Sequence, residues 1–397
     1  MGLLKILLIL TILSIPTGEI FRVELTKEIG INLIDILICT TCIYGILYLA
    51  VNKIKNIKYG KYFFAFIGIG IVSLLINSKG LTLNQILVSA LYPGRFLLLF
   101  MIFPLVKMQS DNFKSLVKKI MIFDGLAIVV IGLIQFFLYP SLRDLYYLGW
   151  DEHLYRLFSV FLDPNFTGIF IVLFIIFITS FLLTVKKQKT KELIFYGLSV
   201  IGSLVALGLT YSREALLSFS LISPVFIFIN KRKYVPIVLL VILLTIIFQL
   251  KSVRSEGTNI LRTASTESRV TSSYLAFSVF KQHPILGIGF DNYRLVLEKN
   301  SSSKGLPTNN FPSHGSSAPD NSFLFVLVTT GIIGFTFYLL FWYSIVADQI
   351  RERNKLQSQV ILASVVVLFI SRFFVNALFY TPIMLWFFYL LGIKESK

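Results

Sequence analysis

Residues 164–185 read Pro-Asn-Phe-Thr-Gly-Ile-Phe-Ile-Val-Leu-Phe-Ile-Ile-Phe-Ile-Thr-Ser-Phe-Leu-Leu-Thr-Val, a run of 22 residues without a charge. About 20 apolar residues cross the hydrocarbon core of a bilayer as a helix. The run therefore predicts a membrane span. Similar runs predict helices near 3–16, 29–51, 61–77, 84–106, 117–139, 193–211, 214–229, 234–250, 322–346, 357–372 and 380–393. The last two are short enough to form one broken hairpin. Lipid admits only helices and closed barrels, and a barrel would alternate polar and apolar residues. The fold class expected is an all-α polytopic membrane protein with about twelve transmembrane helices.

The composition agrees. Of 397 residues, 56% are hydrophobic, 14% are charged and 38 are Phe. A soluble protein carries roughly 25% charged residues. No internal repeat or low-complexity tract is visible. Lys5 followed by Ile6–Ile15 resembles the apolar part of a signal peptide, but no small-residue cleavage site precedes Pro16-Thr17-Gly18. It is expected to remain as an uncleaved first helix. The net charge of +17 does not point to nucleic acid, because the basic residues lie mostly in short loops. Loops 52–62, 107–119, 186–192, 230–233 and 347–357 are rich in Lys and Arg, for example at Lys53, Lys55, Lys58, Lys61, Lys186, Lys187, Lys189 and Lys191. With alternating helices all five fall on one side, which the positive-inside rule makes cytoplasmic, along with both termini. Cys39 and Cys42, at i,i+3 inside an apolar run, are expected to behave as small hydrophobes and say nothing of redox compartment. With only His153, His283 and His314, no zinc spacing exists.

The opposite side then receives two long segments, about 140–163 and 251–320. The chain divides into residues 1–250 with nine helices, an extracytoplasmic loop at 251–320, and 321–397 with three more. Within the long loop, Arg269–Lys281 is a helix candidate with Val270, Tyr274 and Phe277 on one face, suited to lie on the outer leaflet. The same side collects arginines: Arg22, Arg143, Arg156, Arg213, Arg254, Arg262, Arg269, Arg294 and Arg372. The positive-inside rule predicts their depletion there. Guanidinium forks bind phosphate oxygens in two-pronged fashion, so the set points to an anionic, phosphorylated ligand. Salt bridges and lipid headgroups are the alternative for any one of them.

Four motifs follow. Arg156-Leu157-Phe158-Ser159-Val160-Phe161-Leu162-Asp163-Pro164-Asn165 opens a helix, with Asp163 or Asn165 as its cap and Pro164 in its first turn. Thr210-Tyr211-Ser212-Arg213-Glu214-Ala215 joins two apolar runs, with Ser212 as N-cap and an arginine beside a helix N-terminus, a ready anion site. His283-Pro284-Ile285-Leu286-Gly287-Ile288-Gly289-Phe290-Asp291-Asn292-Tyr293 sits in the long loop, where the glycines serve shape and His283 is a structural or supporting residue. Ser313-His314-Gly315-Ser316-Ser317-Ala318-Pro319-Asp320-Asn321-Ser322-Phe323-Leu324 enters an apolar helix containing Gly331-Ile332-Ile333-Gly334, with Asp320 or Asn321 able to cap it.

In this order and spacing, the four motifs resemble those of the O-antigen ligase and O-antigen polymerase superfamily of bacterial membrane proteins. The resemblance covers about residues 150–345. It implies a GT-C-like membrane glycosyltransferase in the bacterial plasma membrane, working at its extracytoplasmic face. The donor implied is a glycan on undecaprenyl pyrophosphate. The acceptor hydroxyl belongs to a second lipid-linked glycan (polymerase), to a lipid A core (ligase) or to a protein. No cofactor or metal is implied. Membrane lipids and a chain-length regulator protein are the partners expected. One departure matters: ligases of the family carry His immediately before the Asn of the fourth motif, where this chain has Asp320. That leans the reading toward polymerisation of a polysaccharide.

The chemistry such a reaction needs is present in the residues. A pyrophosphate lipid leaves well once its charge is neutralised, and arginines do this without a metal; no acidic DxD cluster appears. Arg213 and Arg269 lead, with Arg95 in an apolar run and Arg156 beside them; Asn165, Ser212, His283 and Asn321 are supporting residues. The acceptor hydroxyl needs a base within reach. Asp320 is placed for it, although a helix N-terminus would lower its pKa and burial would oppose that. His314 has the better intrinsic pKa. A flippase or transporter of lipid-linked glycans is the rival class, but it would show repeats, intramembrane charges and short outer loops.

Overall fold

The computed structural model describes residues 2–395 except 25–29, 52–56, 149, 186–187, 260, 291 and 298–317. The apolar runs form helices where they are expected: α1 (Leu3–Leu13), α2 (Leu33–Val51), α3 (Gly60–Ile76), α4 (Leu83–Lys107), α5 (Asp111–Leu138), α6 (Pro164–Thr184), α7 (Thr190–Thr210), α8 (Arg213–Lys231) and α9 (Val235–Lys251). The loop helix is α10 (Ala264–Gln282), and the chain goes on through α11 (Ser322–Arg351), α12 (Leu356–Ser371) and α13 (Thr381–Gly392). Among the described residues, seven helical stretches are long and apolar enough to cross a membrane, with α8 and α9 forming one of them. The chain is a multi-pass membrane protein.

One expectation is corrected. The basic loop expected at 107–119 is mostly helix, because α5 begins at Asp111. Lys114 reaches back to Asp111 at 3.6 Å, so a charged first turn continues into an apolar helix. The Lys- and Arg-rich turn at 230–233 is equally short: α8 runs to Lys231 and a 3₁₀ turn over Arg232–Tyr234 leads straight into α9. Of the lysines that set the expected topology, Lys53, Lys55, Lys186 and Lys187 lie outside the described residues.

The run that predicts the fold also forms its centre. α6 is apolar on every side, as a helix surrounded by others must be, and 72% of its most apolar stretch is buried, against 11% for the α8–α9 stretch. It packs on α7, α8 and α12. A second bundle joins α3 to α11 and α4 to α13 through aromatic rings, including Phe63 edge-on to Phe341 at 5.1 Å and Phe100 edge-on to Phe388 at 5.8 Å. α1 lies against α2 and α5.

At one end of the bundle, polar contacts tie the C-terminal residues to the turns. Lys58 Nζ lies 2.8 Å from Asp348 Oδ2, Lys394 Nζ 2.7 Å from Glu352 Oε2, and Lys118 Nζ 2.8 Å from Glu395 Oε1. The starts of α6, α8 and α11 meet at the other end, where three of the four motifs open helices.

Candidate functional site

Each motif helix begins on a side-chain cap. Asp163 caps α6, accepting from the backbone N–H of Asn165 at 2.6 Å and Phe166 at 3.2 Å. Ser212 Oγ caps α8, accepting from Ala215 N at 3.4 Å. For α11 the cap is Asn321, which accepts from Phe323 N at 2.9 Å and Leu324 N at 3.1 Å. Asp320 is therefore not the cap; it precedes it. The carboxylate stays outside the cap, and burial raises its pKa from its ordinary value despite the opposing charge of Arg269.

The arginines converge beside these caps. Arg156 is buried and donates from Nε to Thr210 O at 2.9 Å and from Nη2 to Asn165 Oδ1 at 3.0 Å. It thereby ties the open C-terminus of α7 to the start of α6. Burial, helped by the charge of Arg262, draws its pKa down to about 9, still a cation at neutral pH. Arg213 Nη1 donates to Arg262 O at 2.8 Å. Arg262 in turn donates to Gly257 O at 2.9 Å and Asn259 O at 3.0 Å. Arg269, near the start of α10, places Nη2 3.8 Å from Glu214 Oε1, with its guanidinium 5.7 Å from the centre of the Phe374 ring. Asp320 lies within the field of Arg269, Asp163 and Glu214. One polar cluster, the arginine chamber, thus gathers Arg156, Arg213, Arg262 and Arg269 with Asp163, Glu214 and Asp320.

The backbone around this chamber is strained. His153, Tyr155, Ser159, Leu162 and Tyr211 all hold positive φ, between 47° and 57°. Non-glycine residues in that region cost of order 1–3 kcal/mol each and concentrate where a site over-determines the chain. His153 is placed there too, with Nε2 3.9 Å from Asp163 Oδ2. Burial, reinforced by the charge of Arg156, lowers its pKa to about 3, so this imidazole is neutral at physiological pH and the contact with Asp163 is not an ion pair.

The third motif is structural, and its partner is the fourth. Ile288 N donates to Val328 O at 3.0 Å, Gly289 N to Thr329 O at 3.2 Å, and Ile332 N to Pro284 O at 2.9 Å. α11 breaks at Gly331, whose φ of 64° and ψ of −170° open its carbonyls to the loop. A Cβ at Gly331 would lie 2.1 Å from Ile285 O, and one at Gly287, with φ of 69°, 2.4 Å from Val328 O. Two backbones interlock there, and only glycine fits. His283 itself is exposed at the end of α10, with its carbonyl accepting from Gly287 N at 3.1 Å.

Of the sequence-derived residues, Arg156, Arg213, Arg269, Asn165, Ser212, Asp320 and Asn321 converge on one end of the bundle. Arg95 does not join them: it pairs with Asp35 of α2, Nη2 to Oδ2, at 3.1 Å. An arginine within an apolar run is satisfied here by a carboxylate on the neighbouring helix. His314 lies outside the described residues. Reading the sequence missed Glu214 as a member of the chamber and placed Arg262 only in the general set of outer arginines. Glu214 stands inside a quoted motif, and its position one residue after the arginine is the signal that was available. Nothing in the spacing of Arg262 marks it. A cavity of ≈ 260 Å³ lies at the opposite end among Lys58, Asp348, Glu352 and Lys394, whose charges are paired with one another. Among the described residues no group of three or more His, Cys, Asp and Glu is placed to hold a metal ion.

Comparison with known proteins agrees with the motifs. No curated protein matches the chain significantly. Residues 198–339 match the family model described as O-antigen ligase, a stretch that holds the second, third and fourth motifs and runs from α7 into α11; the first motif lies before it. Over this stretch the chain is similar to the O-antigen ligase family, in keeping with the motifs it carries.

Proposed function

We propose that the protein is a glycosyltransferase of the bacterial plasma membrane that acts at the extracytoplasmic face, moving a glycan from undecaprenyl pyrophosphate to an acceptor hydroxyl. The observation that carries this reading is the convergence of Arg156, Arg213, Arg262 and Arg269 at one end of an apolar bundle, with Asp320 in the field of Arg269. Such a chamber suits a ligand with concentrated negative charge and an apolar tail. The lysine-rich turns at the opposite end support the orientation.

Arg213 and Arg269 hold the pyrophosphate oxygens. The acceptor oxygen attacks the anomeric carbon, and the bond from that carbon to the phosphate oxygen breaks. The electron pair leaves on undecaprenyl pyrophosphate, whose charge the guanidiniums neutralise as it develops. The proton of the acceptor hydroxyl passes to Asp320, whose raised pKa makes it a better base than an exposed carboxylate. Arg156 binds backbone and Asn165, so its part is to hold α6 and α7 in register while adding positive potential.

Polymerisation of a polysaccharide is the form of the reaction we favour, because Asp320 occupies the position where ligases of the family carry His. A chain-length regulator is the protein partner this form calls for. Cells lacking the protein should accumulate single lipid-linked repeat units and lose long polymer, and a plasmid copy should restore both. Unchanged polymer with loss of a lipid A or protein modification would identify a ligase instead.

A further inference from the structure

Glu214 is the second residue of α8, yet its side chain is buried. It is 1% exposed, and neither carboxylate oxygen accepts a hydrogen bond. Its place in the first turn suits the helix dipole, but that effect needs no burial, and Ser212 already supplies the cap. A buried carboxylate without hydrogen bonds is costly unless cations surround it. Cations do surround it: Arg269 Nη2 is 3.8 Å away, and the charge of Glu214 also bears on Arg156, Arg213 and Arg262. At 3.8 Å the contact with Arg269 is an ion pair without a hydrogen bond. The guanidinium is held by charge and keeps its fork unspent.

The geometry points to Glu214 as the internal counter-ion of Arg269, a positioning residue that holds the guanidinium at the chamber when the donor is absent and yields it to the donor's pyrophosphate. This rests on the reading that Arg269 binds that pyrophosphate. A phosphate group offers two-pronged hydrogen bonds, which the loose pair lacks, so the donor displaces the carboxylate. After transfer, Glu214 competes with the pyrophosphate product for the same guanidinium and hastens its departure.

The test uses the purified full-length chain and undecaprenyl pyrophosphate as the titrated probe. Glu214→Gln keeps size and removes charge. It should bind the probe about three- to fivefold tighter, the scale of a loose ion pair lost from competition, and lower KM and kcat together in the transfer reaction. Arg269→Gln should bind at least about tenfold more weakly. On the Arg269→Gln background, Glu214→Gln should change nothing, since Glu214 acts through Arg269; a purely structural residue would shift binding equally on both backgrounds. Should Glu214→Gln fold poorly, Glu214→Asp withdraws the carboxylate by one methylene and should tighten binding about twofold. Unchanged or weaker binding by the Glu214 variants, with Arg269→Gln impaired, overturns the proposal and leaves the role of Arg269 standing. Wild-type affinity in Arg269→Gln overturns both.

Discussion

Asp320 shows how one cap decides the chemistry of its neighbour. Had Asp320 capped α11, backbone N–H groups would hold it charged and weakly basic. Asn321 takes that role, and burial raises the Asp320 pKa instead. If the ionised form accepts the proton, the transfer rate should fall as pH drops through this raised pKa and hold above it. Asp320→Asn should abolish transfer at every pH while the protein stays folded; activity retained in Asp320→Asn but lost in His314→Ala would assign the base to His314. The arginines make a second prediction. Arg213→Lys and Arg269→Lys keep the charge and lose the fork, so transfer should drop on the order of a hundredfold at normal protein levels. Wild-type glycan length in both would mark them as headgroup anchors. These residues were legible because polar side chains at the ends of apolar runs stand out. Glu214 was not, since a glutamate in a first helical turn looks like a dipole partner until its burial is known.

Helices were the most legible elements. A charge-free run such as 164–185 leaves the backbone no alternative in lipid, and α6 begins and ends within a residue of it. The start of α5 was hidden because Asp111–Lys119 is rich in polar residues in sequence yet helical in the fold, with Asp111 of its first turn paired to Lys114. The interlock of the third and fourth motifs was legible only by half. Gly287 and Gly289 announce a tight turn, but nothing in either segment says that its partner is the break at Gly331. Gly287→Ala should expose that partnership. A methyl group there meets the Val328 carbonyl, which is backbone and cannot swing aside, so the cost is about 2–4 kcal/mol. A lower melting temperature in detergent, with loss of transfer, is the expected result; an unchanged melting curve would show the interlock to be loose. Val270, Tyr274 and Phe277 of α10, the face expected to lie on the outer leaflet, are 64%, 73% and 44% exposed.

At the scale of the molecule, the proposed function depends on which end of the bundle faces outward. Lysine-rich turns and the paired C-terminal residues occupy one end, the arginine chamber the other. Single-cysteine labelling with an impermeant reagent, in a chain from which Cys39 and Cys42 have been removed, should modify Ser302→Cys in intact cells and spare Gln188→Cys. The reverse pattern would place the chamber in the cytoplasm and end the outer-leaflet account. The central claim, that this chamber breaks the bond between a glycan and undecaprenyl pyrophosphate, is tested most directly by giving the purified wild-type chain a lipid-linked glycan with its acceptor and following free undecaprenyl pyrophosphate. The account predicts release in step with glycan transfer, from wild type but not from Arg269→Lys or Asp320→Asn. Transfer without release, or release undiminished in both variants, would contradict it.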